Sequence, residues 1–333
     1  MYQRKVDIIK QPIPIILGTF ALLVGLLTAR AVSVSLPCED LLGALSPVGA
    51  WFDGLFAPLW GVVFSVAMMV FSAVVFTRII SRYSISVIHS FLPLVLYVVF
   101  VGGVAFAVGS PSVQLALFLL ARSAELMVRS FKRCEMFDDV MCASFYAGLA
   151  ALLIPDVLYV ALLVCFQWLL YRRSVRECVA GVVMFLLPIM PAEFVGWCAG
   201  SNVGGVMCGW ADALSPLGLT SVESLVQSCG GVLGVVVLGV LLLLGVVSAG
   251  AMIASSDSMR IRARKMHTYF IMLFLVGVVM LLLGVAPGVS MAVIGLGAVP
   301  LVHTYFVRQQ GVVSVILYVV LLVVTIARAV VLM

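Results

Sequence analysis

The chain of 333 residues is 64% hydrophobic and only 10% charged, with a mean hydropathy of +1.28 and a formal net charge of +5. Water-soluble domains run near half apolar and a quarter charged, so a soluble globular fold is excluded, because no polar run here is long enough to clothe a core. The positive excess forms no basic run interleaved with aromatics, and a nucleic-acid partner is not expected.

Backbone polar groups in lipid must be satisfied within helices or a closed barrel. The apolar runs are long and unbroken, without the alternation of a barrel strand. The expectation is an all-α, polytopic membrane protein: one integral membrane domain over 1–333, with the lipid bilayer as its first partner. Hydropathy places about eleven segments near 13–33, 55–77, 86–108, 112–128, 140–154, 157–171, 177–198, 228–253, 268–285, 289–306 and 311–331.

The first segment follows a basic start (Arg4, Lys5, Lys10) and ends in Ala29-Arg30-Ala31, the outline of a cleavable signal peptide. The many later spans favour an uncleaved first helix. The loop 34–54 carries Leu41, Leu42, Leu45, Trp51, Phe52 and Leu55 in the pattern of a short helix lying at the interface. In the segment 112–128, Arg122 and Glu125 share a helical face with Arg129 beyond it, so Glu125 is within reach of either arginine. That intramembrane pair either lines a polar interior or sits near the surface with Arg122 snorkelling outward.

Segments 140–154 and 157–171 are short, about 22 Å of helix each, with Pro155 and Asp156 between them. They read as two short helices meeting at a dip in the surface, or as a broken hairpin entering part-way. Segment 177–198 holds Pro188 and Pro191, which should kink it just before Glu193. The loop 199–227 is rich in Gly and Ser, with Trp210 at an interfacial depth. The spacings Gly230/Gly234 and Gly284/Gly288 fit close helix contact. The basic run Arg260 to Lys265 reads as an orientation signal.

Alternating the segments from an inside N-terminus puts the loop lysines and arginines on one side. The loops 34–54, 109–111, 155–156, 199–227 and 286–288 contain none. The positive-inside rule then sets the N-terminus inside and the C-terminus outside, in a bacterial inner membrane. The outer side receives Cys38, Cys198, Cys208 and Cys229, enough for one or two disulfides in an oxidising compartment. It also receives acidic residues, of which Glu39, Asp40, Asp156 and Glu193 are the candidate catalytic groups. A carboxylate there acts as a base, binds a divalent ion, or caps a helix. His89, His267 and His303 show no metal-ligand spacing. No nucleotide or hydrolase motif occurs, so neither a metal nor a cofactor is expected.

Phe118 to Leu187 includes Phe145-Tyr146-Ala147-Gly148-Leu149-Ala150, a proline-containing break, and the turn Arg172 to Glu177. With Arg4-Lys5, Leu92-Pro93 and Val299-Pro300-Leu301, it resembles an uncharacterised family of multi-pass inner-membrane proteins of Bacteroidota. The resemblance implies compartment and topology but no activity. A looser similarity is to membrane glycosyltransferases of the GT-C type, whose acidic first outer loop corresponds to Glu39 and Asp40. That similarity implies an enzyme acting on an isoprenoid-linked glycan. The chain departs from it in lacking outer basic residues apart from Arg30 and Arg328. Three functions stand open: such an enzyme, a membrane subunit or scaffold packed against a membrane-protein partner in an envelope assembly, and a secondary transporter using Asp156, Glu193 or the Arg122/Glu125 pair.

Overall fold

A computed structural model of the chain describes residues 13–33, 45–82, 90–102, 110–131, 137–161, 163, 174–198, 200, 204–214, 226, 232–255, 259, 261–309 and 312–331. Among these residues the secondary structure is helical, without strands. The helices are α1 (Ile13–Ser33), α2 (Pro47–Gly54), α3 (Pro58–Arg82), α4 (Leu92–Tyr97), α5 (Pro111–Ser130), α6 (Phe137–Leu153) and α7 (Val175–Leu186). They continue as α8 (Ile189–Cys198), α9 (Gly205–Ala213), α10 (Val232–Ala254), α11 (Ile261–Leu282), α12 (Pro287–Arg308) and α13 (Val312–Val331). A π-helical turn, Val98–Gly102, extends α4, and a 3-10 segment, Pro155–Val160, follows α6. Among the described residues six stretches are long and apolar enough to cross a bilayer: α3, α5, α7 with α8, α10, α11 and α12. The protein is a helical membrane protein.

Local chemistry sets the boundaries. Ser46 caps α2 by accepting from the Gly49 N–H at 3.0 Å, and Pro47 occupies the first turn. Ser174 caps α7, accepting from the Glu177 N–H at 3.3 Å while its hydroxyl donates to the Glu177 carboxylate at 3.2 Å. The break between α7 and α8 falls at Leu187 and Pro188, where proline has no N–H to continue the ladder. The turn between α11 and α12 uses Gly284 at φ 77°. Gly284 donates to Leu281 at 3.3 Å and Val285 to Met280 at 3.1 Å, which satisfies carbonyls at the end of α11. Gly284 and Gly288 therefore belong to a turn and a helix start, and the small-residue spacing read there does not mark a helix-packing face.

Contacts group the helix ends into two sets. At one end lie the contacts of Ser46 with Leu152, Asp53 with Ser110, and Tyr159 and Trp210 with Ala213 and Ala151; at the other lie the pairs Arg78–Glu125, Arg129–Asp139 and Arg308–Ser255. Trp51, Trp60, Trp197 and Trp210 lie toward the first, here the tryptophan end, and the second is the arginine end.

The centre of the bundle is α12, buried at every residue from Gly288 to Val307. It packs against α10, α11, α4 and the π turn, and Leu92 to Val101 are buried with it. Glycines permit the approach. A methyl group placed on Gly297 would fall 2.5 Å from the Phe274 backbone nitrogen, and one on Gly277 would fall 2.7 Å from that of Ile294. On the far side of α12, Gly295 leaves room for Phe100 and Val101. A second group forms around α5 and α6, with α7 seated on α6 where Gly148 meets the backbone of Phe185.

Candidate functional site

The tryptophan end holds three carboxylates of interest among the described residues. Asp53, at the end of α2, accepts from the Ser112 N–H at 2.7 Å and from the Ser110 and Ser112 hydroxyls at 2.7 and 3.0 Å. It thereby neutralises the start of α5, where free N–H groups concentrate positive potential. Glu193, in α8, does the same for α9, accepting from the Gly204 and Met207 N–H groups at 2.9 Å each. Gly204 takes φ 96°, which turns the chain back toward Glu193.

Asp156 lies in the first turn of the 3-10 segment, outside the long apolar helices. Burial pushes its carboxyl up to about 6. The Tyr159 hydroxyl donates to the Ala213 carbonyl at 3.1 Å, and the Trp210 indole N–H donates to the Ala151 carbonyl at 3.2 Å. So α9 is held by Glu193 at its start, by Tyr159 at its end, and by Trp210 from its underside. Phe185 of α7 packs on Trp210 with ring centroids 5.8 Å apart. Ser46 fastens α2 to the end of α6: its hydroxyl donates to the Leu152 carbonyl and its N–H to that of Leu153 at 3.3 Å.

The sequence-derived candidates divide accordingly. Asp156 and Glu193 both lie at the tryptophan end, on either side of α9. Glu193 is engaged as a helix-terminus acceptor, and Glu39 and Asp40 lie outside the described residues. Cys198 and Cys208 are free thiols, and Cys38 and Cys229 lie outside the described residues. The loop 199–227 contains a helix, α9, that its glycine and serine content concealed. Among the described residues no three His, Cys, Asp or Glu side chains assemble a metal site.

At the arginine end, Glu125 is buried in contact with Arg122, and Arg78 of α3 approaches the same carboxylate at 3.8 Å. Arg129 instead reaches Asp139 of α6 at 3.4 Å. Two of these charged partners, Arg78 and Asp139, come from other helices, and the pattern on α5 could not supply them. Deeper in the bundle, His303 is fully buried, with Nε2 3.0 Å from the Ser90 hydroxyl. His267 holds the Ala263 carbonyl from Nδ1 at 2.6 Å, so that nitrogen carries the proton. The other ring nitrogen of each histidine has no hydrogen-bond partner among the described residues.

No family model matches the chain, and neither the curated proteins nor the solved structures give a match.

Proposed function

We propose that the chain is a non-catalytic membrane subunit or scaffold of an inner-membrane envelope assembly. In this reading about eleven segments cross or enter the bilayer, with the arginine end in the cytoplasm, the N-terminus inside and the C-terminus outside. The observation that carries it is the sealed centre: α12 is enclosed along its length and its glycines meet neighbouring backbone atoms. A rocking transporter needs an interior that opens around a central site; backbone-to-backbone contact on two sides of α12 opposes that. The engagement of Asp53 and Glu193 as helix caps points the same way.

The partner would meet α7 and α8, the least buried of the long apolar stretches. Val183, Met190 and Phe194 project from it at 54%, 77% and 62% exposure. Lipid tolerates a larger apolar side chain there, whereas a packed protein partner does not. Val183→Trp and Met190→Trp are expected to leave thermal stability unchanged, to abolish the in vivo function, and to shrink the complex on native gels. Glu39→Ala with Asp40→Ala should leave that function intact. The opposite pattern refutes the proposal.

One observation favours a second reading, the GT-C-like enzyme acting on an isoprenoid-linked glycan. A carboxyl held near 6, as Asp156 is, suits proton transfer close to neutral pH. Loss of an envelope glycan in Asp156→Asn, with the protein folded and membrane-inserted, would select it.

A further inference from the structure

The ion cluster of α3 and α5 is unbalanced. Arg78 and Arg122 share one carboxylate, Glu125, whose side chain is only 6% exposed, while the two arginine side chains are 57% and 32% exposed. Arg129 has its own partner in Asp139. Among the described residues the shared site therefore carries two guanidinium charges against one carboxylate.

Its depth makes that imbalance costly. Arg122 lies eight residues before the end of α5 at Ser130, about 12 Å along the axis. Arg78 lies one turn before the end of α3 at Arg82. An uncompensated charge at such a depth recruits water or a counter-ion. Glu125 holds Arg122 by a hydrogen bond and lies 3.8 Å from Arg78, and both arginine side chains keep exposed surface and N–H donors that one carboxylate cannot occupy. Two forked donors side by side match the oxygens of a phosphodiester. On the outward face of a transmembrane groove, the phosphodiester at hand is a phospholipid headgroup, and a net-anionic lipid brings the missing charge.

We propose that Arg78 and Arg122, held by Glu125, form a binding site for the headgroup phosphate of an anionic phospholipid between α3 and α5. This goes beyond the scaffold reading and stands whether or not the protein has a partner.

The test uses the full chain in phosphatidylcholine nanodiscs titrated with phosphatidylglycerol, read by lipid retention in native mass spectrometry and by thermal shift. Arg78→Gln changes an exposed side chain and should weaken phosphatidylglycerol binding by about fivefold. Arg122→Gln combined with Glu125→Gln removes the pair together, leaves no stranded carboxylate, and should weaken it as much. Arg264→Gln, exposed in the first turn of α11 and outside the pair, should change it by about twofold or less, because an isolated surface charge is screened. Unchanged binding in Arg78→Gln overturns the proposal, as does an equal loss in Arg264→Gln. Stabilisation by inorganic phosphate alone in neutral discs, matching that by the lipid, would also overturn it.

Discussion

Replacing Gly297 with Ala adds one methyl group at the point where α12 meets α11. That methyl would lie 2.5 Å from the Phe274 nitrogen, 2.7 Å from its Cα and 2.9 Å from the Phe270 carbonyl oxygen. All three are backbone atoms, so no side chain can swing aside. Ordinary contact begins near 3.4 Å, so the helices must part by about 0.9 Å, a gap that forfeits up to about half of each dispersion contact along the interface. Overpacking of this kind costs about 1–3 kcal/mol. The gain in helix propensity from Gly to Ala, about 1 kcal/mol at most, offsets only part of that. Gly239 in α10 supplies the control, because a methyl group there meets nothing within 4 Å. Thermal unfolding in nanodiscs should therefore show Gly297→Ala melting below the parent and Gly239→Ala melting at or above it. Equal melting of the two variants would refute the tight α11–α12 contact, and with it the sealed centre on which the scaffold reading rests.

Arg122→Ala leaves the buried Glu125 carboxylate only the looser Arg78 contact at 3.8 Å and should cost about 2–3 kcal/mol, whereas Glu125→Gln leaves arginines able to snorkel and should cost about 1 kcal/mol; the order of the two melting temperatures checks this. Glu193→Ala removes the acceptor of two amides at the start of α9, so hydrogen exchange at Gly204 and Met207 should accelerate by about fivefold or more, with Glu193→Gln intermediate. Asp156 has its carboxyl raised from the ordinary 3.8 to about 6, so its ionisation opposes folding. That penalty is absent below the unfolded value, grows as pH rises toward 6, and is complete above it. Asp156→Asn should therefore stabilise the protein by about 1–3 kcal/mol at pH 7.5 and by almost nothing at pH 4, read as melting temperature across that range.

Parts of the site were legible in the chain itself. Arg122 and Glu125 are three residues apart on α5, and helical geometry alone brings them together. The prolines expected to kink the segment 177–198 include Pro188, where α7 ends and α8 begins. Arg78 was not legible as their partner, because it arrives from another helix and nothing local links it to Glu125. Asp53 likewise serves serines 57 and 59 residues away. Glu193 looked like an isolated carboxylate near a membrane surface until Gly204, at positive φ, folded α9 back onto it.

Composition and periodicity determined that this is a helical protein in lipid, and where most of its helices begin and end. Which helix occupies the centre was decided by the tertiary structure alone. The stretch within α10 is more apolar than α12, yet only 39% of it is buried while α12 is wholly enclosed. In water the more apolar helix would go inside. In a bilayer the surroundings are as apolar as the core, so hydrophobicity no longer sorts interior from exterior. Close fit takes over, and α12 offers Gly295 and Gly297 where neighbouring backbones need to approach.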